Sequence, residues 1–170
     1  MDQKYDALKL ENQLCFPLYA CSRHMIRLYK PLLDEIDLTY TQYITMMVLW
    51  EHKSVTVKEL GKALYLDSGT LTPLLKKLEE KGLVTRRRSD EDERNLIVAL
   101  TDAGDALKDK ALHIPTEMAK HVRLNMPEIM SMYQSMYKLL EEVEEAHRPG
   151  PRPAHLQECA GVLGANRRIQ

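Results

Sequence analysis

The sequence predicts a mainly α protein with one small β-hairpin, on three observations. Apolar residues recur every three or four positions through most of the 170 residues, the period of helices that bury one face. The period changes after Gly82, where Leu83-Val84-Thr85 and Leu96-Ile97-Val98-Ala99-Leu100 enclose the charged segment Arg87 to Arg94. Helix-start signals, small polar residues set just before an apolar run, precede several of the periodic stretches.

Taken in order, Asp6 to Leu33 reads as one long helix with a seam of Leu10, Leu14, Leu18, Cys21, Met25, Leu28 and Leu32. Pro17 within it removes one backbone hydrogen bond and is expected to bend it. A flanking row carries Cys15, Tyr19, Ser22, Ile26 and Tyr29. A second helix follows Thr39 as its candidate cap, with Tyr40, Tyr43, Ile44, Met47, Val48 and Trp50, and breaks at His52-Lys53-Ser54. Thr56 and Glu59 stand at capping-box spacing, so a third starts near Val57.

The next helix places Leu71, Leu74, Leu75 and Leu78 on one face and stops at Gly82, leaving Lys76, Lys77 and Lys81 outward. Pro73 lacks an N–H and is expected in or near its first turn, with Asp67, Ser68 and Thr70 all open as the cap. Beyond the hairpin, Thr101-Asp102 opens a helix through Ala106, Leu107, Ala111 and Leu112, which Pro115 kinks or interrupts. A last helix begins around Met126 and carries Ile129, Met132, Tyr133, Met136, Leu139, Leu140 and Val143 before the acidic run Glu141 to Glu145, a solvated helix end. From Arg148 the text turns to proline and arginine, which reads as a flexible tail over 148–170 containing Cys159.

Two short helices followed by a basic hairpin is the order of a winged helix-turn-helix. There the second helix enters a major groove and the wing reaches the adjacent minor groove or the backbone. The competing reading, a plain helical hairpin with solvated lysines, does not account for the wing. Ser68, Gly69, Thr70 and Thr72, just after Asp67, suit close approach to base edges and phosphates because none is bulky and most donate a hydrogen bond. Lys76, Lys77, Arg86 and Arg88 supply the charge. The DNA-binding part is placed at about 54–100 of a single domain over 1–147.

The formal net charge of −1 looks unsuited to nucleic acid, yet the distribution counts for more than the sum. Asp67 to Arg88 holds six basic and three acidic residues, whereas Thr101 to His147 holds five and nine. There is no run of 18 apolar residues and no basic-then-apolar leader, so no membrane partner and a cytoplasmic location are expected. Three cysteines at unrelated spacings fit neither a disulfide framework nor a zinc pattern, and the six histidines are dispersed; no metal and no cofactor is expected. The helices at about 6–33 and 102–147 carry apolar faces that one chain does not cover, and a homodimer is the simplest way to bury them. A dimer would also set two recognition helices about one turn of DNA apart, matching a pseudo-palindromic operator.

The run Leu10-Glu11-Asn12-Gln13-Leu14-Cys15, with Tyr29, Tyr40 and Leu64-Tyr65-Leu66-Asp67-Ser68-Gly69-Thr70-Leu71-Thr72-Pro73, resembles the organic hydroperoxide resistance regulators of the MarR family over roughly residues 5–147. The wing, with Arg86, Asp90, Glu91, Asp92, Glu93 and Arg94, is similar to a signature in which an acidic residue braces an arginine that enters the minor groove. On that basis Asp92 and Arg94 join the DNA-binding set. The resemblance implies a dimeric repressor, no enzyme, that leaves its operator when one cysteine is oxidised by an organic hydroperoxide.

A redox sensor needs a thiolate, because a thiol is a poor nucleophile toward peroxide oxygen. No histidine or lysine lies near Cys15 in sequence, so tyrosine hydroxyls would have to stabilise it by donating hydrogen bonds. Tyr19, four residues on, shares its face. Tyr29 is fourteen residues away, about 21 Å along a continuous helix, and can meet Cys15 only from a second chain. In the resembling family the counterparts of Tyr29 and Tyr40 do come from the partner. By pattern alone Cys15 would read as a small buried hydrophobe, as free cysteines usually are; the resemblance reverses that reading. Cys21 sits roughly 120° around the helix from Cys15, so the two do not bridge within a chain, and it is read as structural. The expectation is a one-cysteine sensor whose sulfenic acid meets a small external thiol, with Cys159 left as a possible resolving thiol.

Two other functions compete. One is a MarR-type regulator released by a small aromatic ligand, with Cys15 inert. The other is a thiol peroxidase or similar cysteine enzyme, for which no activating base or Cys-x-x-Cys arrangement is present.

Overall fold

A computed structural model of the chain describes residues 3–89, 92 and 95–147. The expected tail at 148–170, with Cys159, and the wing residues Asp90, Glu91, Glu93 and Arg94 lie outside the described residues. The chain divides into two compact units, one of Met1–Pro17 with Val122–Gln170 and one of Leu18–His121.

Helix α1 spans Cys15–Asp34 and is preceded by two short 3-10 turns, Gln3–Leu8 and Leu10–Asn12. This corrects the expected start at Asp6. The Asn12 amide donates to the Asp6 carbonyl at 2.8 Å and the Gln13 amide to the Ala7 carbonyl at 2.5 Å, so polar side chains take acceptors that an α ladder would use. Pro17 is therefore the third residue of α1, where a backbone N–H has no intrahelical partner to lose, and the bend expected there has no cause.

Helix α2, Tyr40–His52, starts on a full capping box between Thr39 and Gln42. Helix α3, Val57–Leu64, starts on the Thr56–Glu59 box, with Glu59 Oε2 accepting the Thr56 N–H at 2.8 Å. Helix α4, Ser68–Glu80, is capped by Asp67, whose Oδ1 accepts the Thr70 N–H at 2.8 Å; this decides among the three candidates. Pro73 is the sixth residue of α4, early in its second turn and so near the first turn as expected. At the far end Gly82 takes φ 69°, a left-handed conformation that suits glycine. Its N–H reaches the Glu79 carbonyl at 2.8 Å and the Leu83 N–H reaches Leu78 at 3.0 Å, the two bonds of a Schellman stop.

Strands β2 (Val84–Arg88) and β3 (Leu96–Leu100) form the hairpin, in register from Val84 opposite Leu100 to Arg88 opposite Leu96. A third strand, β1 (Ser54–Thr56), pairs with the other edge of β3 and gives a three-stranded sheet in the order β1-β3-β2. Arg87 and Arg88 belong to β2 and not to the charged tip in which the sequence reading placed them.

Helix α5 (Asp102–Ala111) is capped by Thr101. A separate helix α6 (Ile114–Ala119) carries Pro115 in its first turn, so the proline interrupts the helical run. Gly104 packs so closely on the Leu83 backbone that an added Cβ would meet its carbonyl oxygen at 2.0 Å, and its own carbonyl accepts the Trp50 indole N–H at 2.9 Å. Among the described residues the core lies within Leu18–His121. Leu60, Leu71, Leu75, Leu78, Val84 and Val98 are at its centre. Each buried leucine contributes about 2 kcal/mol of apolar burial.

In the other unit, helix α7 (Met126–His147) opens on a reciprocal pair: Asn125 Oδ1 accepts the Glu128 N–H at 3.0 Å and the Glu128 carboxylate accepts the Asn125 N–H at 2.8 Å. None of its 22 residues is buried.

Candidate nucleic-acid interface and thiol site

The leucine face of α4 packs inward, so its opposite face is presented outward. Gly69, Thr72 and Lys76 lie along that face and are exposed, with Ser68, Thr70 and Lys77 exposed beside it. The hydroxyls are held in place. Thr70 Oγ1 donates to Asp67 Oδ2 at 3.0 Å, and Thr72 Oγ1 donates to the Ser68 carbonyl at 2.7 Å, which leaves oxygen lone pairs outward. The Thr70 N–H, and then its hydroxyl, hold the Asp67 carboxyl below its ordinary range. Asp67 thus serves the interface by fixing the start of the helix. Lys76 pairs loosely with Glu80 at 3.8 Å, both side chains well exposed, so the ion pair holds it weakly.

In the wing, Arg86 is engaged with α4: its Nε donates to Glu79 Oε2 at 2.9 Å and its side chain is only 22% exposed. Arg87 and Arg88 are exposed on β2. Near the tip, Asp92 Oδ2 accepts the Asn95 side-chain amide at 3.3 Å, and the Asn95 N–H reaches the Asp92 carbonyl at 2.8 Å. Asp92 therefore shapes the loop; its expected partner Arg94 is outside the described residues. The sequence reading passed over Lys58 and Lys62. Both are exposed on α3 and line an open hollow with Thr56, Ser68, Asn95 and Leu96, next to the start of α4. Their spacing of four on a capped helix was the available signal.

Cys15 is exposed and heads α1, at the end of a helix whose dipole favours negative charge. Cys21, expected to be structural, is exposed as well. The Tyr19 hydroxyl accepts from Arg23 Nη1 at 2.7 Å, with the guanidinium 5.5 Å from the ring centre. Tyr29 and Tyr40 are brought together in one chain, ring centres 5.1 Å apart, and Tyr43 adds a third ring 6.0 Å from Tyr29. Burial, and then the neighbouring tyrosine hydroxyls, push Tyr29 and Tyr43 above the usual phenol range, so both remain O–H donors at neutral pH. Among the described residues no group of three or more His, Cys, Asp or Glu side chains is placed to hold a metal ion, and no helix is long and apolar enough to cross a membrane.

A family model described as "Transcriptional regulator SarA/Rot" matches residues 27–111. The chain is 49% identical over 145 residues to the organic hydroperoxide resistance transcriptional regulator of Bacillus subtilis, covering 85% of this chain and 99% of that protein. Among solved structures it is similar to reduced AbfR bound to DNA, at 32% identity and a TM-score of 0.73, covering 86% of this chain and all of that one. It is also similar to disulfide-formed AbfR, at 34% identity and a TM-score of 0.56, covering 81% and 96%. The AbfR protein is from Staphylococcus epidermidis. The chain belongs to the MarR family of winged helix-turn-helix transcriptional regulators, among its organic hydroperoxide resistance members.

Proposed function

We propose that this chain is a redox-sensing repressor that binds a pseudo-palindromic operator as a homodimer and leaves it when Cys15 is oxidised by an organic hydroperoxide. One observation carries the dimer. The 22-residue α7 has no fully buried residue, and its Met130, Met132, Tyr133, Met136, Tyr137 and Val143 are all exposed. An apolar face of that size on a helix fits a second copy better than water. The redox reading is supported by a relative whose name joins organic hydroperoxide resistance to transcription, and by another solved in reduced and disulfide forms.

The chemistry follows from the thiol. The Cys15 thiolate attacks one peroxide oxygen; an S–O bond forms, the O–O bond breaks, and the departing alkoxide takes a proton to leave as an alcohol. Sulfur has lost two electrons and stands as sulfenic acid. A small external thiol condenses with it, forming a mixed disulfide and releasing water. The helix α1 over Cys15–Asp34 supports the spacing argument, on which the paired Tyr29 and Tyr40 would approach Cys15 from the partner. Their hydroxyls can donate to a thiolate, whereas a sulfenic acid or mixed disulfide is bulkier and uncharged or differently placed. Displacing them would shift the helices that set the distance between the two α4 helices. A coupling of about 3–4 kcal/mol releases DNA by two to three orders of magnitude. The protein turns over no substrate in this reading, and it works in the cytoplasm on double-stranded DNA.

The test is a gel-shift titration on inverted-repeat DNA with and without an organic hydroperoxide, with mass analysis of Cys15 and Cys159. Cys15→Ser should bind as wild type and no longer be released. Release that survives the substitution would assign sensing to another residue, and a disulfide between Cys15 and Cys159 in place of a small-thiol adduct would make Cys159 the resolver.

A further inference from the structure

The strands of the hairpin differ in what holds them. Strand β3 pairs with β1 on one side and β2 on the other, so among the described residues β2 is a sheet edge whose outward backbone groups have no strand partner. At Arg86 that edge is closed by one side chain of α4. Glu79 Oε1 accepts the Arg86 backbone N–H at 3.2 Å, while Glu79 Oε2 accepts Arg86 Nε at 2.9 Å and Nη2 at 2.5 Å. A single carboxylate thereby ties both the backbone and the guanidinium of one wing residue to the last turn of the helix that faces DNA. Alternation along β2 agrees: Val84 and Arg86 lie on the inner face, buried and part-buried, while Thr85 and Arg87 are exposed.

We propose that Arg86 is a positioning residue and not a DNA contact: its ion pair with Glu79 sets the pitch of the wing relative to α4, so that the helix and the wing reach their grooves together. To reach a phosphate instead, the guanidinium would have to leave Glu79, stranding an uncompensated carboxylate beside DNA. Strand β2 runs from Arg86 for two more residues to Arg88, about 7 Å, so a tilt of about 10° at Arg86 moves the end of the strand by about 1 Å. A shift of about 1 Å is enough to take a hydrogen bond out of range. The proposal rests on the DNA-binding half of the proposed function and is independent of Cys15.

The two roles of Arg86 predict opposite results for Glu79→Gln, measured as operator affinity against salt concentration with the reduced, full-length protein. If Arg86 positions the wing, Glu79→Gln weakens binding about tenfold and lowers the salt slope by about one for each phosphate the wing no longer reaches, although it removes a negative charge. Arg86→Gln then costs about the same, and the double variant is no worse than either single, as two halves of one device should behave. The exchange Glu79→Arg with Arg86→Glu recovers most of the affinity, and hydroxyl-radical footprints of the single variants lose the flanking protection while keeping the central one. If Arg86 touches DNA, Glu79→Gln frees it and binds as tightly or more tightly at an unchanged slope; that result overturns the proposal. Should the exchanged pair fail to fold, the near-isosteric Glu79→Gln decides alone. Wild-type protein that bound no inverted repeat would fail the DNA-binding reading itself, which separates the two failures.

Discussion

The two units of this chain solve the burial problem in different ways. Leu18–His121 holds every buried core residue among those described, starts its helices α2, α3, α4 and α5 on side-chain caps, and ties α2 to α5 with a buried Trp50–Gly104 hydrogen bond. The unit of Met1–Pro17 and Val122–Gln170 contains no buried residue among those described, and it exposes Leu10, Leu14, Met132 and Tyr133. The first unit is stabilised by its own contacts. The second has the amphipathic pattern of a packed helix, with much of its apolar face exposed among the described residues, which is the feature the proposed dimer uses. In that proposal the part that reads DNA stays constant and the part that sets spacing is left to an equilibrium between chains.

The largest expected effect tests that division directly. Met136→Glu places a charge on the exposed apolar face of α7. It should convert the protein to a monomer in sedimentation and weaken operator binding by at least about 100-fold, because two linked heads lose their effective concentration. A variant that stayed dimeric would move the interface off α7.

Leu78→Ala acts on the other side of the comparison. Leu78 is fully buried between α4 and the core, so truncation should cost about 2–5 kcal/mol of unfolding free energy in urea titrations. A loss below about 1 kcal/mol would mean that the core does not depend on α4.

The smallest expected effect is at a helix start. Thr56→Ala removes the acceptor of the Glu59 N–H and should cost about 1 kcal/mol. Glu59 adds a pH dependence. Its carboxyl lies below its ordinary value because it accepts the Thr56 backbone N–H and then the Thr56 hydroxyl. A lowered carboxylate contributes stability that is fully present above the ordinary carboxylate pKa and is lost as pH falls through the lowered one. Wild-type melting temperature should therefore drop on acidification across and below the carboxylate range, more than it does in Glu59→Gln. Equal slopes for the two proteins would remove Glu59 from the account.

What the residues disclosed on their own was whatever neighbouring positions decide. Thr39, Thr56 and Thr101 were legible as helix starts because a cap is a bond between residues three apart, and Leu71, Leu74, Leu75 and Leu78 were legible as an inner face because helical periodicity repeats locally. The winged order, and with it the nucleic-acid reading, followed from that local text. Tertiary structure alone decided the rest. Strand β1 is three residues long, too short to carry a period, and exists because β3 offers it an edge. Arg86 read as a free cation until Glu79, seven residues earlier and on another element, was seen to hold it. Tyr29 and Tyr40 were expected together only from resemblance, and it is the packing of α1 against α2 that brings their rings to 5.1 Å. Propensity and capping are encoded by spacing along the chain, whereas these contacts are encoded by which faces remain once the core has closed.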